Sequence, residues 1–276
     1  MLIYYLNGKF INSDNCKISI LDRGFKFGDG LFETISFENG CFFQLNAHLK
    51  RLKKGLSVLK INYDCSNLPD ILNELVNKNN FNDGSLRITV TRGSESLGYM
   101  PKIDSVPNIA IEIRPKQVFD YLPKRLVISS YIKPSSNHYP IYLKTCQGLN
   151  STLAIMEAKD KGYDEALILY DNYICETSSA NIFFINNNVL ITPSLKDNFL
   201  GGVTRRYILA NTILICKEMD ISLSDIEKFD YAFMTNSSYK LMPIQTISDQ
   251  ENNIVFNSKA NNSYFDIKKK LNLTFT

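Results

Sequence analysis

The stretch LDRGFKFGDGLFETI, residues 21–35, decides the fold prediction for the N-terminal half of the chain. It holds the pair Asp29-Gly30, followed by apolar residues at alternate positions from Leu31. Asn-Gly pairs also occur at 7–8 and 39–40. The pairs separate short apolar-polar runs at 2–6, 16–21, 31–37 and 41–45. Runs divided in this way are typical of β-hairpins, so the sequence predicts antiparallel strands here.

Beyond this stretch the apolar residues change to a helical period. Leu49, Leu52 and Leu56 share one face of a helix predicted over 46–59. A second helix is predicted over 68–77, and strands follow at 85–91 and 108–113. We therefore predict a smaller N-terminal domain, residues 1–115, in which a sheet has helices against it.

The composition shifts after Pro115, and we predict a larger C-terminal domain over 116–276. A polar loop near 132–141 is expected to connect the domains and to line a cleft. The remaining predicted elements are strands at 125–132, 165–170, 182–185 and 189–192, helices at 150–161 and after Thr204, and strands around Phe233 and Thr246.

Composition excludes several classes of protein. The 276 residues include 31 basic and 28 acidic ones, a balance that does not favour nucleic acid as a partner. The six cysteines show no CxxC spacing, and no apolar stretch has the length of a membrane span. We expect a cytoplasmic protein that does not bind a membrane. With two histidines in the whole chain, we expect neither a metal site nor a Ser-His-Asp triad.

Six ordered segments carry a family resemblance that spans the chain. They are LDRGFKFGDGLFETI at 21–35, NAHLKRL at 46–52, YLKTCQGLNSTLAIMEAKDKGYDEALIL at 142–169, ETSSANIFF at 176–184, LGGVTRR at 200–206 and MTNSSYKLMPIQTI at 234–247. Together they resemble the fold-type IV enzymes that depend on pyridoxal 5'-phosphate (PLP). This family, the class IV aminotransferases, includes branched-chain and D-amino acid aminotransferases and aminodeoxychorismate lyase.

The resemblance implies an α+β fold with a smaller N-terminal α/β sandwich and a larger C-terminal barrel-like domain. It also implies PLP as the cofactor, a small-molecule amino substrate, and a homodimer. A nicotinamide enzyme is not expected, because no GxGxxG follows a predicted strand.

Lys144 corresponds to the lysine that forms the Schiff base with PLP in this family. It follows a short apolar run, and burial there would lower the pKa of its ammonium group and favour the nucleophilic amine. Without the resemblance, a lysine is ordinarily a solvated surface residue. Glu176 corresponds to the carboxylate that keeps the pyridine nitrogen protonated. Its alternative is an ordinary charge at the start of a strand.

The family's phosphate-binding groups correspond to further positions of this chain. Arg51 matches the phosphate-binding arginine within an HxxR spacing, and its alternative is one more solvated base. The backbone amides of Val203 and Thr204 would face an anion at a helix N-terminus, although Thr204 is equally suited to capping that helix. Ser237 matches a second phosphate hydroxyl. Leu200 matches a residue packed on the ring face, with simple core packing as its alternative.

Some positions depart from the branched-chain aminotransferases. Leu149 replaces their tyrosine, which leaves Gln147 and Asn150 as candidates to contact the cofactor phenolate. Ser36 and Leu97 stand where relatives have arginines for the substrate carboxylate. Tyr99 and Lys102 are candidates to compensate for those arginines.

Two features, Thr34 and the TRGS sequence at 91–94, resemble aminodeoxychorismate lyase, whereas KTCQGLN resembles branched-chain aminotransferases. We therefore predict a lyase that releases pyruvate and 4-aminobenzoate, with Lys144 and Thr34 as catalytic residues. The alternative is an amino acid aminotransferase using 2-oxoglutarate, in which Thr34 is simply a β-branched strand residue. A third alternative, a non-catalytic binding relative, has no chemical reason to retain Lys144, Glu176 and Arg51.

Overall fold

The computed structural model describes residues 1–94, 98–132, 140, 142–195, 199–259 and 262–272. The chain divides into two compact units. Unit 1 holds the described parts of Met1–Val118 together with Leu143–Gln147, and unit 2 holds those of Phe119–Tyr142 and Gly148–Thr274. The segment with Lys144 thus belongs to the unit of the N-terminal sheet. The predicted domains 1–115 and 116–276 stay a prediction, and the loop near 132–141 lies mostly outside the described residues.

Unit 1 is built on an antiparallel sheet of six strands. Its strands are β1 (Ile3–Leu6), β2 (Lys9–Asn12), β3 (Gly30–Glu38), β4 (Cys41–Phe42), β5 (Gly84–Thr91) and β6 (Asn108–Pro115), and its helices are α1 (Arg23–Phe27), α2 (Leu45–Leu59) and α3 (Leu68–Asn79). The spatial order is β2-β1-β6-β5-β3-β4. The structure confirms the helices predicted at 46–59 and 68–77.

The two faces of this sheet differ in polarity because side chains alternate along each strand. One face buries the apolar residues of β3, β5 and β6 together with leucines of α2 and α3, including Ile35, Leu52, Leu72, Ile88 and Ile111. Helix α2 comes so close to β3 that a Cβ on Gly55 would lie 2.7 Å from Leu31 Cδ1. The opposite face carries the half-buried residues of the same strands, among them Phe32, Thr34 and Arg87.

One predicted strand is wrong. Residues 16–21 form no strand, and most of their side chains are exposed. The alternating run has no buried face to fill, and the chain instead turns into α1. Asp22 causes this turn: its Oδ1 accepts hydrogen bonds from the amides of Gly24 and Phe25 at 2.7 and 3.3 Å. Its Oδ2 accepts one from the Thr91 hydroxyl at 2.6 Å, which fixes the turn to β5.

Unit 2 contains a sheet of nine strands that closes on itself. Its strands are β7 (Lys124–Ile128), β8 (Glu165–Tyr170), β9 (Tyr173–Thr177), β10 (Asn181–Asn186), β11 (Val189–Pro193), β12 (Ile215–Met219), β13 (Tyr231–Thr235), β14 (Met242–Ser248) and β15 (Ile254–Asn257). The order β10-β13-β14-β7-β8-β9 is closed by pairing between β9 and β10, so these strands form a barrel. Strands β11, β12 and β15 extend it.

Three helices accompany this barrel: α4 (Leu149–Asp160), α5 (Val203–Asn211) and α6 (Asn262–Asn272). The barrel strands are buried on both faces. Ile182 and Phe184 of β10 belong to one apolar cluster, whereas Phe183 packs on the other side with Ile208 of α5 and Tyr264 of α6. No helix in the described part of the chain is both long and apolar enough to cross a membrane.

Candidate active site

The backbone of Lys144 is paired with the start of β3 in unit 1. The Phe32 amide donates to the Lys144 carbonyl at 2.9 Å, and the Cys146 amide donates to the Gly30 carbonyl at 2.9 Å. Leu31 and Thr145 form the antiparallel bridge between these bonds. Directly opposed residues of antiparallel strands point to the same face. Lys144 therefore projects from the polar face of the sheet, beside Phe32.

The Phe32 ring lies beside two cations. Lys144 Nζ is 4.3 Å from the ring centroid, and Arg87 Cζ is 3.8 Å from it. A cation at this distance from an aromatic ring is attracted by the ring's quadrupole. Arg87 was missed in the sequence analysis, although the alternation of SLRITVT on β5 separates it from the buried Leu86 and Ile88.

Thr34 lies on the same polar face as Phe32, two positions along β3. It is directly opposite Arg87 on β5, and Arg87 is directly opposite Glu112 on β6. The Arg87 guanidinium is 3.8 Å from the Glu112 carboxylate, a long ion pair between half-buried side chains. The face that bears Lys144 thus also carries a hydroxyl and a guanidinium.

Arg51 is not a solvated base. Its Nε and terminal nitrogen each bind an oxygen of Glu33 at 2.7 Å, in a forked ion pair. The side chains of Arg51 and Glu33 are 13% and 1% exposed. His48, which is fully buried, binds the same carboxylate through Nδ1 at 2.7 Å. The HxxR spacing therefore reflects two residues of one helical face that converge on Glu33.

Glu33 is a charged group in an apolar environment. Burial opposes its ionisation, but the Arg51 charge, the Arg51 hydrogen bonds and His48 outweigh burial and lower the pKa of Glu33 to about 2. Sequence reasoning missed this carboxylate, although it alternates with Phe32 and Thr34 in the FET motif. A small pocket in unit 1 brings Arg51 and Lys144 together. Its lining is Leu31, Phe32, Glu33, Arg51, Leu52, Gly55, Leu143 and Lys144.

Glu176 lies in unit 2, next to the last residue of β9. It is opposite Ile168 of β8 and Asn181 of β10. The residue is 8% exposed, so it is neither at a strand start nor an ordinary surface charge. Its position is the point at which the barrel closes.

The LGGVT segment leads into the N-terminus of α5. The cap residue is Gly202, which supplies no side chain to the first amides of the helix, and the helix begins at Val203. Thr204 is therefore not the cap. It is 1% exposed, and its hydroxyl has no hydrogen-bond partner among the described residues. Leu200 is half-buried, and its carbonyl accepts a hydrogen bond from Asn181 Nδ2 at 2.8 Å.

Ser237 lies in a tight turn that follows β13. The Asn236 side chain closes the turn by accepting hydrogen bonds from the amides of Ser238 and Tyr239 at 2.9 and 3.2 Å. Lys240, which is buried, donates from Nζ to the Ser237 carbonyl at 3.0 Å. Ser237 itself is half-buried. Lys240 did not stand out in the sequence, because nothing local distinguishes it from a surface lysine.

The candidates for the cofactor phenolate differ in their contacts. Gln147 is exposed, and its Nε2 donates to the Phe27 carbonyl at 3.0 Å. Asn150 on α4 has a buried side-chain nitrogen to which no described residue offers an acceptor, and Leu149 is exposed.

The candidates for the substrate carboxylate also differ. Tyr99 and Lys102 are exposed, and Ser36 is buried. Leu97 lies outside the described residues.

Comparisons with known proteins give a consistent result. The model of the amino-transferase class IV family matches residues 30–247. The chain is 32% identical to a probable branched-chain-amino-acid aminotransferase of Rickettsia bellii, over 92% of this chain and 90% of that protein. It is 28% identical to aminodeoxychorismate lyase of Bacillus subtilis, over 89% of this chain and 86% of that enzyme.

This chain belongs to the class IV aminotransferase family. Its fold also matches the branched-chain aminotransferase of the archaeon Thermoproteus uzoniensis, with a TM-score of 0.90 and 23% identity, over 99% of this chain and 95% of the other. A further branched-chain amino acid aminotransferase, solved with pyridoxamine 5'-phosphate, matches with a TM-score of 0.86. The α+β fold-type IV architecture is thereby confirmed, as is a PLP-dependent enzyme class.

The residues of this family member fit PLP. A helix N-terminus without a side-chain cap is a site for an anion, because its amides point outward and the helix dipole favours negative charge. At α5 this feature coincides with the buried Thr204 hydroxyl, the group that a phosphate oxygen would satisfy. Glu176 is a buried carboxylate of the kind that a pyridinium nitrogen would pair with.

Proposed function

We propose that this enzyme is an aminodeoxychorismate lyase, which converts 4-amino-4-deoxychorismate to 4-aminobenzoate and pyruvate. The observation that carries the proposal is that Thr34 lies on the polar face from which Lys144 projects, two positions from the Phe32 ring that contacts the lysine. An elimination needs a proton moved between the substrate and its leaving group, and a hydroxyl beside the base is suited to that task.

Lys144 holds the cofactor in the resting enzyme and acts as the base once the substrate has replaced it. As the neutral amine, it removes the proton from the substrate carbon that bears the amino group. The C–O bond to the enolpyruvyl group then breaks, and the proton returns to this leaving group, which becomes pyruvate. When bound, PLP supplies the electron sink for this chemistry.

The proposed cofactor contacts follow the family. Glu176 keeps the pyridine nitrogen protonated, and Leu200 packs on the ring. Arg51, the amides of Val203 and Thr204, and the Thr204 and Ser237 hydroxyls hold the phosphate. Glu33 supports this role by fixing the Arg51 fork through two bonds of 2.7 Å. Asn150 is the better candidate for the phenolate, because the Gln147 amide is already bonded to Phe27.

Arg87 is our candidate for the substrate carboxylate. It shares the Phe32 ring with Lys144, so a substrate held at the lysine has a guanidinium within a short distance. Guanidinium groups bind carboxylates through two parallel hydrogen bonds. The ion pair of Arg87 with Glu112, at 3.8 Å, is long and joins partly exposed side chains, so a substrate carboxylate can compete with it.

The second candidate is an amino acid aminotransferase that uses 2-oxoglutarate, with a branched-chain or D-amino acid as donor. It is favoured by the 32% identity with the Rickettsia bellii protein and by the KTCQGLN segment. The same Lys144, Glu176 and phosphate contacts would serve it. A cytoplasmic homodimer is a further proposal.

A product assay tests the choice. Purified enzyme with added PLP is given aminodeoxychorismate, and separately a panel of L- and D-amino acids with 2-oxoglutarate. The lyase proposal predicts equal amounts of 4-aminobenzoate and pyruvate. Glutamate formed from leucine or D-alanine, without any pyruvate from aminodeoxychorismate, would replace it by the aminotransferase.

A further inference from the structure

We propose that Asn181 is a positioning residue that aligns the carboxylate for the cofactor ring with the cradle for the cofactor phosphate. The inference rests on the proposed roles of Glu176, Thr204 and Ser237. Asn181 is the first residue of β10, and three segments that carry those roles meet at it. Two are joined to it by its backbone and one by its side chain.

The backbone of Asn181 pairs on both sides. In one direction it is opposite Glu176 of β9, and in the other it is opposite Thr235 of β13. Thr235 is the last residue of β13 and comes two positions before Ser237. The ladder therefore fixes the strand of the ring carboxylate and the strand that leads to the Ser237 turn at the same level.

The side chain of Asn181 reaches the third segment. Its Nδ2 donates to the Leu200 carbonyl at 2.8 Å. Its Oδ1 lies against Gly202, where an added Cβ would be only 2.1 Å away. Gly202 is the cap of α5, so this contact determines where the first amides of the helix and the Thr204 hydroxyl stand. Glycine is required there by the close approach of the amide oxygen.

The burial of Asn181 makes this arrangement specific. The residue is 4% exposed, and a buried amide must keep its hydrogen bonds because an unsatisfied polar group is costly. A shift of the LGGVT segment would break the bond to Leu200. Binding groups need to be held within about 0.5 Å of their productive positions, and residues behind them normally provide that restraint.

A comparison of two ligands distinguishes positioning from a merely structural role. PLP and pyridoxal share the ring, but only PLP has the phosphate. We expect Asn181→Ala to weaken PLP binding on the order of 10-fold and pyridoxal binding by less than about 2-fold, in spectroscopic titrations of the full-length apoenzyme. Asn186→Ala, at the far end of β10, is the matched control and should leave both dissociation constants unchanged.

The titrations have two contradicting outcomes with different meanings. If Asn181→Ala weakens both ligands equally, the residue is only structural and the inference fails while the proposed cofactor site stands. If the wild type binds PLP and pyridoxal equally well, the phosphate cradle itself is wrong, and the inference fails with it.

A rescue experiment tests the contact directly. Gly202→Ala alone should weaken PLP binding on the order of 10-fold, because the new methyl group meets Asn181 Oδ1. In the Asn181→Ala background that oxygen is gone, so adding Gly202→Ala should cost less than about 2-fold more. Costs that simply multiply in the double variant would show that the contact does not set the cradle, and would overturn the inference.

Discussion

The amide of Phe32 donates a 2.9 Å hydrogen bond to the carbonyl of Lys144, and the Phe32 ring lies 4.3 Å from the ammonium of the same lysine. The segment that bears the predicted cofactor lysine is thus held in register with β3, although 112 residues separate the two in sequence. This register puts Lys144 on the face with Thr34 and Arg87 and away from the buried leucine layer.

Glu33→Gln is expected to lower the free energy of unfolding at pH 7 by about 3 kcal/mol, since it breaks a buried, forked ion pair. The folded-state pKa of Glu33 is about 2, below its ordinary value of 4.5. A lowered pKa contributes stability above pH 4.5 that is lost as the pH falls towards 2. The difference between wild type and variant, measured by urea unfolding, should therefore shrink in that range.

Glu38→Gln is the matched control for this prediction. Glu38 lies on the same strand, and its surface pair with Lys116 is half-exposed, so its loss should cost less than about 1 kcal/mol. A Glu33 difference that stays constant from pH 7 to pH 2 would contradict the proposed ionisation.

Glu176→Gln is expected to slow turnover by orders of magnitude while cofactor affinity changes little. The neutral amide cannot keep the pyridine nitrogen protonated, which weakens the electron sink. Arg51→Ala should do the reverse and chiefly raise the PLP dissociation constant. Steady-state kinetics and PLP titration of both variants check the division. If both lose only rate, or only affinity, the two roles are assigned wrongly.

Arg87→Met is expected to raise KM for a carboxylate substrate by about 10-fold or more, because a charge-assisted pair is lost. The affinity for PLP should hardly change, and Arg87→Lys should restore part of the loss. Arg114→Met is the control, since Arg114 lies on β6 with an exposed side chain. An Arg87→Met enzyme with unchanged KM would exclude the carboxylate role.

Several elements were predictable because their signals are local. The helices α2 and α3 follow from the spacing of leucines, and β8 from an unbroken apolar run. The run at 16–21 misled because alternation alone does not show whether a face will be buried. Strands β9 and β12 were missed, since each is short and its pairing is supplied by distant residues.

The candidate site shows the same limit. The family motifs located Lys144, Arg51, Glu176 and Thr204 in the sequence. They did not reveal the partners of these residues, because Glu33, Arg87 and Asn181 act through contacts across strands or with a distant loop. Such contacts depend on register, which a single sequence does not state.

Thr34→Gly is expected to separate the two reactions. Loss of the hydroxyl should reduce pyruvate release from aminodeoxychorismate on the order of 100-fold, the lower range for general acid-base groups. Any transamination by the same enzyme should fall much less, because it needs no proton at a leaving group. Thr34→Ser keeps the hydroxyl and should retain most of the lyase activity. Equal losses of both activities in Thr34→Gly would mean that Thr34 only supports the strand.

The covalent attachment of the cofactor tests the account most directly. Borohydride reduces the C=N bond between a lysine and PLP to a stable amine, so digestion and mass spectrometry of the reduced holoenzyme identify the lysine. We predict one labelled peptide, containing Lys144, and no label in Lys144→Ala, which should also lose its activity. A label on another lysine of the wild type, together with an active Lys144→Ala enzyme, would contradict the account.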